Sequence, residues 1–323
     1  MDCGQIIELL ARAEGWLSGE EVSRALGVTR AAVWKGITAL REEGWVIDSA
    51  PRQGYRLSGP PPMLSGAYIS GKLPAGSLFA GRVEARRLVD STNTQLKAMA
   101  AQGAPEGTAL LAEEQTGGRG TRGRSFLSPP GGLYLSILLR PRVPLSELFT
   151  LTGWAAVAVR RGIEDACGAR PDIKWMNDLY LGGGKLVGIL TELSLLGESG
   201  EPDYVVVGVG VNVAQTAEGF RAAGLDGIAV SLATAGYEVE RNTLTVSILN
   251  AFEALYRDFP HKKADYLADY RVHCMTLGRR VSFEEGGAVL TGIAEQVEED
   301  FSLRIVGDDG RIHRVSSGTV RPL

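Results

Sequence analysis

The stretch Gly117-Gly-Arg-Gly-Thr-Arg-Gly-Arg124 sets four glycines among Arg119, Arg122 and Arg124, and no acidic side chain occurs between Gln115 and Ser146. So much glycine disfavours helix and strand interiors. The segment therefore reads as a loop with accessible backbone N–H groups and guanidiniums without a local carboxylate, a combination suited to phosphate or carboxylate. Gly118-x-Gly120-x-x-Gly123 also fits the dinucleotide fingerprint, but that fingerprint runs from strand into helix. Here the chain continues through Pro129, Pro130, Gly131 and Gly132 into residues 133–139, which read as a strand. A solvated basic surface loop is the plain alternative, and the flanking segments decide against it.

Upstream, residues 83–89 read as a strand, and Asp90-Ser-Thr-Asn leads into a helix over 94–101 that stops at Gly103. Ser91, Thr92 and Asn93 suit helix capping, and a helix start equally offers hydroxyls and free N–H groups to a ligand. A strand over 108–113 delivers Gln115 and the arginine loop. Downstream, residues 145–167 read as one largely buried helix. Residues 173–181 followed by 182–192 read as a hairpin with polar residues on an otherwise apolar strand. It is not a P-loop, because Lys185 precedes Leu186 and the glycines precede a strand. Lys174, beside Trp175, begins an element where a cation is partly desolvated and calls for an anion. Residues 204–213 read as a buried strand in which Gly208 and Gly210 permit close backbone approach and Asn212 is the one polar side chain.

Residues 1–57 read as three helices and a hairpin. Ile6, Ile7, Leu9 and Leu10 line one face of the first helix. Ser18 and Glu21 have capping-box spacing, Gly27 breaks the second helix, and Thr29 caps a third from Arg30 to about Glu43. This is helix-turn-helix spacing. Val33, Ile37 and Leu40 face inward, which leaves Arg30 and Lys35 for a phosphate backbone or major groove. The hairpin around residues 51–54 resembles a wing with Arg52 at its tip. Thr29, Arg30, Lys35 and Arg52 are the candidate DNA contacts, although acidic Glu20, Glu21, Glu42 and Glu43 surround them and such modules also dock proteins.

Ser58-Gly-Pro-Pro-Pro marks a boundary. The tail alternates apolar runs with turns at Glu-Gly-Gly and Asp-Asp-Gly, the pattern of a small SH3-like β-barrel. The expected units are residues 1–60, 64–274 and 275–323. The chain has 323 residues, is 44% hydrophobic and 22% charged, and carries net charge −4, so bulk charge advertises no nucleic-acid binder and a DNA contact must be local. Cys3, Cys167 and Cys274 have neither metal-ligand nor paired spacing, no basic apolar leader begins the chain, and no apolar run spans a bilayer; a cytoplasmic protein with reduced thiols and no metal centre is expected.

Ser91-Thr-Asn93, Gln115 with GRGTRGR, KWMND at 174–178, GGKLVGIL with Lys185, and GVGVN at 208–212 together, in this order, resemble the biotin protein ligases that carry an N-terminal winged helix and also repress the biotin operon. The resemblance covers nearly the whole chain. It implies an α+β protein: a winged helix-turn-helix, a class II synthetase-like mixed α/β ligase core, and a C-terminal SH3-like barrel. The implied chemistry is ATP-dependent activation of biotin to biotinyl-5′-AMP, with Mg²⁺, then transfer to a lysine of biotin carboxyl carrier protein. Operator DNA of biotin genes and a ligand-promoted homodimer complete the implied partners.

The residues support that chemistry independently, since carboxylate attack on an α-phosphate gathers negative charge that cations must hold. Arg119 and Lys174 are the candidates for biotin's carboxylate and the α-phosphate, Lys185 for neutralising phosphate, and Asp178 for base or positioner in the transfer step. By resemblance, Ser91, Thr92 and Gln115 bind the ureido ring and Gly120 and Thr121 line the closing loop, while Asn93, Arg122, Phe126, Asn177, Gly208 and Asn212 complete the ligand site. Three residues depart from the usual pattern: Thr121 where another arginine is common, Met176 where proline is customary, and Phe126 where a tryptophan stacks on adenine. A lipoate-type acyl-adenylate ligase and a ligand-sensing transcription factor without ligase activity are the competing readings.

Overall fold

The computed structural model describes residues 2–13, 15–196 and 201–323. The chain opens with α1 (Cys3–Ala13), α2 (Gly19–Leu26) and α3 (Arg30–Glu42), then the hairpin β1 (Ile47–Ala50) and β2 (Gly54–Leu57). The caps set these boundaries. Ser18 Oγ accepts from the Glu21 N–H while the Glu21 carboxylate accepts from the Ser18 N–H, a reciprocal capping box. Gly27 ends α2 at φ 65, and Thr29 caps α3 through the Ala32 N–H. Ile6, Ile7 and Leu10 meet Val22, Val33, Ile37 and Leu40 in a core separate from the main one.

This head is seated on the remainder through α4 (Gly66–Lys72), which lies against α1. A Cβ on Gly71 would stand 2.5 Å from Glu8 O and 2.9 Å from Ala11 Cβ, so the approach of the two helices depends on glycine there. The intervening segment is held as well. The Glu113 carboxylate accepts from the Leu64 N–H at 2.7 Å, and Asn242 Oδ1 from the Ser65 N–H at 2.8 Å.

The central unit continues with β3 (Val83–Val89), α5 (Thr92–Ala101), β4 (Ala109–Gln115), β5 (Leu133–Leu139), α6 (Leu145–Leu148), α7 (Leu151–Cys167), β6 (Asp172–Lys174) and β7 (Asp178–Leu181). Then come β8 (Gly184–Leu196), β9 (Glu201–Val211), α8 (Ala217–Ala222), α9 (Arg241–Asp258) and α10 (Lys263–Val272). The strands form one mixed sheet in the order β3-β4-β5-β9-β8-β7-β6, parallel between β3 and β4 and antiparallel elsewhere. Alternation divides β5 between two layers. Leu133, Leu135, Ile137 and Leu139 enter the large core with α7 and α9, whereas Leu138 joins Leu96 and Ala100 of α5 on the other face. Ser136, on the α5 side, is therefore a buried polar residue aimed at the start of that helix.

Strand β4 reaches Gln115 and β9 stops at Val211, short of Asn212, and three larger differences from the sequence expectations bear on the site. Helix α5 begins at Thr92 instead of residue 94, and Ser91 makes no side-chain capping bond to it. The expected helix over 145–167 is broken at Phe149 and Thr150, where Thr150 Oγ1 donates to Glu147 O at 2.7 Å and an isolated turn replaces the helical ladder. Residues 173–181 are not one strand. They fold back through Trp175, Met176 and Asn177, so that Lys174 pairs with Asp178 across β6 and β7.

The C-terminal unit comprises β10 (Arg280–Glu285), β11 (Ala288–Val297), β12 (Leu303–Gly307), β13 (Ile312–Val315) and β14 (Arg321–Pro322). They form an antiparallel sheet ordered β13-β12-β11-β10-β14, consistent with an SH3-like unit. Phe301, at φ 61 between β11 and β12, fastens it to the core. Its ring fills a notch where a Cβ on Gly153 of α7 would lie 2.1 Å away, and it meets Tyr270 edge-on at 5.2 Å. Burying such a ring is worth about 2 kcal/mol. Trp175 Nε1 donates to Phe301 O at 2.8 Å, which ties the Lys174 turn to the same seat. Among the described residues no helix is long and apolar enough to cross a membrane.

His313 of β13 is nearly buried, with Nδ1 2.7 Å from Glu285 Oε2 and Nε2 3.5 Å from Asp309 Oδ1. The Glu285 hydrogen bond raises its pKa above the ordinary 6.5, against the effect of burial. A raised folded value means stabilisation that is complete below the unfolded pKa and lost as pH rises through the folded one. In thermal melts the parent is expected to exceed His313→Gln in melting temperature at pH 6, and the difference to shrink toward pH 9. A difference independent of pH would show that the imidazolium contributes nothing.

Candidate active site

A cavity of about 30 Å³ opens where the start of α5, the strands β8 and β9, and the arginine loop meet. Its floor is glycine. Gly188 pairs with Gly210, and Leu190 with Gly208, so side chains from other elements descend onto bare backbone. Asn93 comes down on Gly208, where a Cβ would be 2.1 Å from its Oδ1, and the Phe126 ring lies on Gly210 and Gly188, where added Cβ atoms would be 2.6 and 3.0 Å away. That volume admits one or two waters, so a ring-sized ligand must displace Phe126 or the loop to enter.

The polar groups around this floor are cross-linked. Gln115 Oε1 accepts from the Thr92 N–H at 2.8 Å and from Thr92 Oγ1 at 3.1 Å, and its Nε2 donates to Ser128 Oγ at 2.8 Å. Ser136 Oγ donates to Asn93 Oδ1 at 2.6 Å and lies 2.8 Å from Thr92 Oγ1. Asn93 Nδ2 donates to Glu192 Oε2 at 2.8 Å, and Lys97 Nζ is 2.5 Å from the other Glu192 oxygen. Burial pushes the Glu192 carboxyl up, but the bonds from Lys97 and Asn93, with the nearby Arg119 charge, leave it below the ordinary carboxylate value. Ser91, uncommitted to capping, faces the cavity beside Arg119 and Tyr134. Burial holds the Tyr134 pKa well above its ordinary value, so the phenol stays a donor, to Pro129 O at 2.6 Å.

Thus Ser91, Thr92, Asn93, Gln115, Arg119, Phe126 and Gly208 converge as cavity walls. Gly120, Thr121 and Arg122 lie in the loop above, outside the wall itself. Phe126 covers the glycine floor. Lys174, Asp178 and Lys185 form an adjoining cluster. Lys185 Nζ bonds Asp178 Oδ1 at 2.7 Å and lies 6.0 Å from the centre of the Phe126 ring, while Lys174 Nζ is 3.3 Å from the Tyr180 hydroxyl and 5.0 Å from the centre of its ring. Asn177 and Asn212 are drawn into backbone support, donating to Ile189 O at 2.7 Å and Lys185 O at 3.2 Å.

At the other end of the chain Arg30 and Arg52 line a groove between α3 and the hairpin together with Trp34 and Tyr55. Thr29 is occupied as the α3 cap, and Lys35 is exposed outside that groove. Trp34 is 59% exposed, and its place four residues after Arg30 was the helical signal that puts it on the same face. Sequence reasoning also missed Tyr134, Ser136, Gly188 and Glu192. Period two along β8 links Gly188, Leu190 and Glu192 and was the signal for them; a single Ser inside an apolar strand was the only one for Ser136.

Known proteins resemble both the head and the central unit. The model for the biotin/lipoate A/B protein ligase family matches residues 85–212, and one for an HTH domain matches residues 4–56. The bifunctional ligase/repressor BirA of Bacillus subtilis (strain 168) is 40% identical over 79% of this chain and 78% of its own length. The protein of the same description from Escherichia coli (strain K12) is 31% identical over 98% of this chain and 95% of its own. Among solved structures, the biotin protein ligase from Aquifex aeolicus in complex with biotin and ATP matches with a TM-score of 0.62 and 27% identity, covering 75% of this chain and 99% of that one.

Gly208→Ala is expected to drive the new methyl into Asn93 and to break its bonds to Ser136 and Glu192. Overpacking of this kind costs about 1–3 kcal/mol. Urea denaturation of the variant against the parent measures it; an unchanged midpoint would mean that Asn93 has room to retreat.

Proposed function

The chain belongs to the biotin/lipoate protein ligase family, and from that membership we propose that it is a biotin protein ligase and biotin-responsive repressor. It converts biotin and ATP to biotinyl-5′-AMP and pyrophosphate, then transfers the biotinyl group to a lysine of biotin carboxyl carrier protein with release of AMP. The observation that carries this reading is the cross-linked polar group of Thr92, Asn93, Gln115 and Ser136 around the glycine floor, with Arg119 in the same cavity wall. A ureido ring offers both N–H donors and a carbonyl to such a group. The dithiolane of lipoate offers neither, and a site built to hydrogen-bond rejects a ligand that cannot reciprocate.

In the first step a biotin carboxylate oxygen attacks the α-phosphorus and pyrophosphate leaves. Arg119 and Lys174 draw the two anions together and hold the charge that grows on phosphorus, so the catalysis is positioning and electrostatics. Lys185 exchanges its Asp178 partner for phosphate. Mg²⁺, when bound, would come with the triphosphate and offset its charge, and the protein supplies the cationic side chains Arg119, Lys174 and Lys185. In the second step the acceptor ammonium gives up a proton to Asp178, released from Lys185, and the neutral amine attacks the carbonyl carbon of the mixed anhydride, whose bond to the AMP oxygen breaks. Loop closure keeps water from the anhydride. Residues 64–274 serve these two reactions, residues 1–60 serve DNA, and residues 275–323 support the site.

Arg30, Trp34 and Arg52 form the DNA-facing groove of the head. Residues 1–57 contain seven Lys or Arg against eight Asp or Glu, a weak electrostatic footing for one head alone. Repression therefore uses two heads on two half-sites, brought together when the adenylate orders the loop.

Biotin-dependent ATP–pyrophosphate exchange, followed by label transfer to a carrier domain, tests the enzyme; exchange supported by lipoate and not by biotin would replace the reading. Lys174→Ala and Arg119→Ala are each expected to lower the exchange rate by about 10², the usual loss for a transition-state donor, and a rate within about threefold of the parent would remove that residue from the mechanism. In gel shifts on the upstream region of the biotin genes, binding is expected only with biotin and ATP, and to weaken in Arg30→Ala. Tight binding without ligand by a species that sediments as a monomer would refute the coupling.

A further inference from the structure

Between Arg119 and Ser125 the loop's backbone bonds only to itself among the described residues: Arg119 bridges Ser125, the Gly120 N–H meets Arg124 O, and the Arg124 N–H meets Thr121 O. Among the described residues one hydrogen bond ties that span to the rest of the molecule. Arg124 Nη2 donates to Thr319 Oγ1 at 2.8 Å, in the turn that joins β13 to β14. Arg122 reaches the same turn independently. Its guanidinium lies over Gly318, where a Cβ would stand 3.1 Å from Nη2 and where φ is +138. Of the three loop arginines, only Arg119 lines the cavity.

The turn is also attached to a fixed post. Phe301 fastens the C-terminal sheet against Gly153, and Arg271 donates to Val297 O at 2.7 Å through Nε. The same sheet side holds the hairpin that carries Lys174, because the Trp175 N–H donates to Thr276 Oγ1 at 3.0 Å and its indole to Phe301 O. The C-terminal unit therefore grips both cationic arms of the site, one through Trp175 and the other through Arg122 and Arg124.

We propose that the turn over 316–319 is a latch that holds the arginine loop in register with the Lys174 hairpin, with Thr319 and Gly318 as positioning residues for retention of the adenylate. This rests on the adenylate-forming reading of the site. With Thr319 unable to accept, the loop loses its one hydrogen bond to the post, and Arg119 swings away from the cavity more often.

Hydrogen exchange on the full, ligand-free chain reads the latch without any chemistry. Thr319→Val is expected to speed exchange of the Gly120 and Arg124 amides by about threefold to tenfold, the equivalent of one net hydrogen bond, while β4, β5 and β10–β12 exchange as in the parent. Thr319→Ser should restore the parent rate. Arg124→Gln takes the contact from the loop side, and combined with Thr319→Val it should be no faster than the faster single variant. Release of preformed biotinyl-5′-AMP should accelerate by a similar factor. Unchanged loop exchange in Thr319→Val, additive effects in the double variant, or a loosened loop with unchanged release would each overturn the proposal. A parent that forms no adenylate would overturn the enzymatic reading instead, and the exchange data would still judge the latch.

Discussion

The register of β8 against β9 is the constraint on which the site depends. With Gly188 opposite Gly210 and Leu190 opposite Gly208, three of these four positions on one face of the sheet carry no side chain where two other elements touch it. A slip of one residue would turn Val207 and Val209 toward that face, because side chains alternate along a strand. Asn93 and Phe126 would then have nowhere to go, and the start of α5 would lift from the sheet with Thr92. The long hairpin-like pairing of β8 and β9, which extends well beyond the cavity, keeps this from happening.

The cavity is also arranged so that its charges stay uncancelled where they are needed. Glu192, the acid on the cavity side of β8, is neutralised by Lys97 from α5 and bonded by Asn93. In the proposed reading Arg119 is thereby left for an incoming anion, although it feels both Glu192 and Asp90. Asp178 likewise pairs with Lys185 beside the site, and in the proposed reading a phosphate competes for that lysine. Exchange between partners of this kind requires little reorganisation, which suits a centre where charge builds during reaction.

Much of this was legible in the sequence where local chemistry is decisive. Glycines alternating with arginines define a loop whatever surrounds them, and the Ser18, Glu21, Gly27 and Thr29 signals are satisfied within a few residues of themselves. Legibility ended where tertiary partners chose among equivalent options. Ser91, Thr92 and Asn93 are all competent caps, and the partners Gln115, Ser136 and Glu192 decided that the helix begins early and that all three line the cavity. In β5 both faces are apolar, so period two is silent and only Ser136 breaks the run. The fold-back at Trp175 was hidden because its stabilising contacts, Thr276 and Phe301, lie about a hundred residues further on.

The glycine notch at position 71 has a consequence for how such a chain is assembled from parts. Helix α4 belongs by sequence to the central unit, yet Ala67 and Tyr68 pack into the apolar core of the head, and Gly71 admits the α1 backbone. A head of this type is consequently no portable cartridge. Grafted onto a shorter ligase it requires a recipient helix with a small residue at the crossing and an apolar strip beside it, and a ligase cut free of its head inherits that strip as a sticky surface. Modularity here is written into the recipient as much as into the donor.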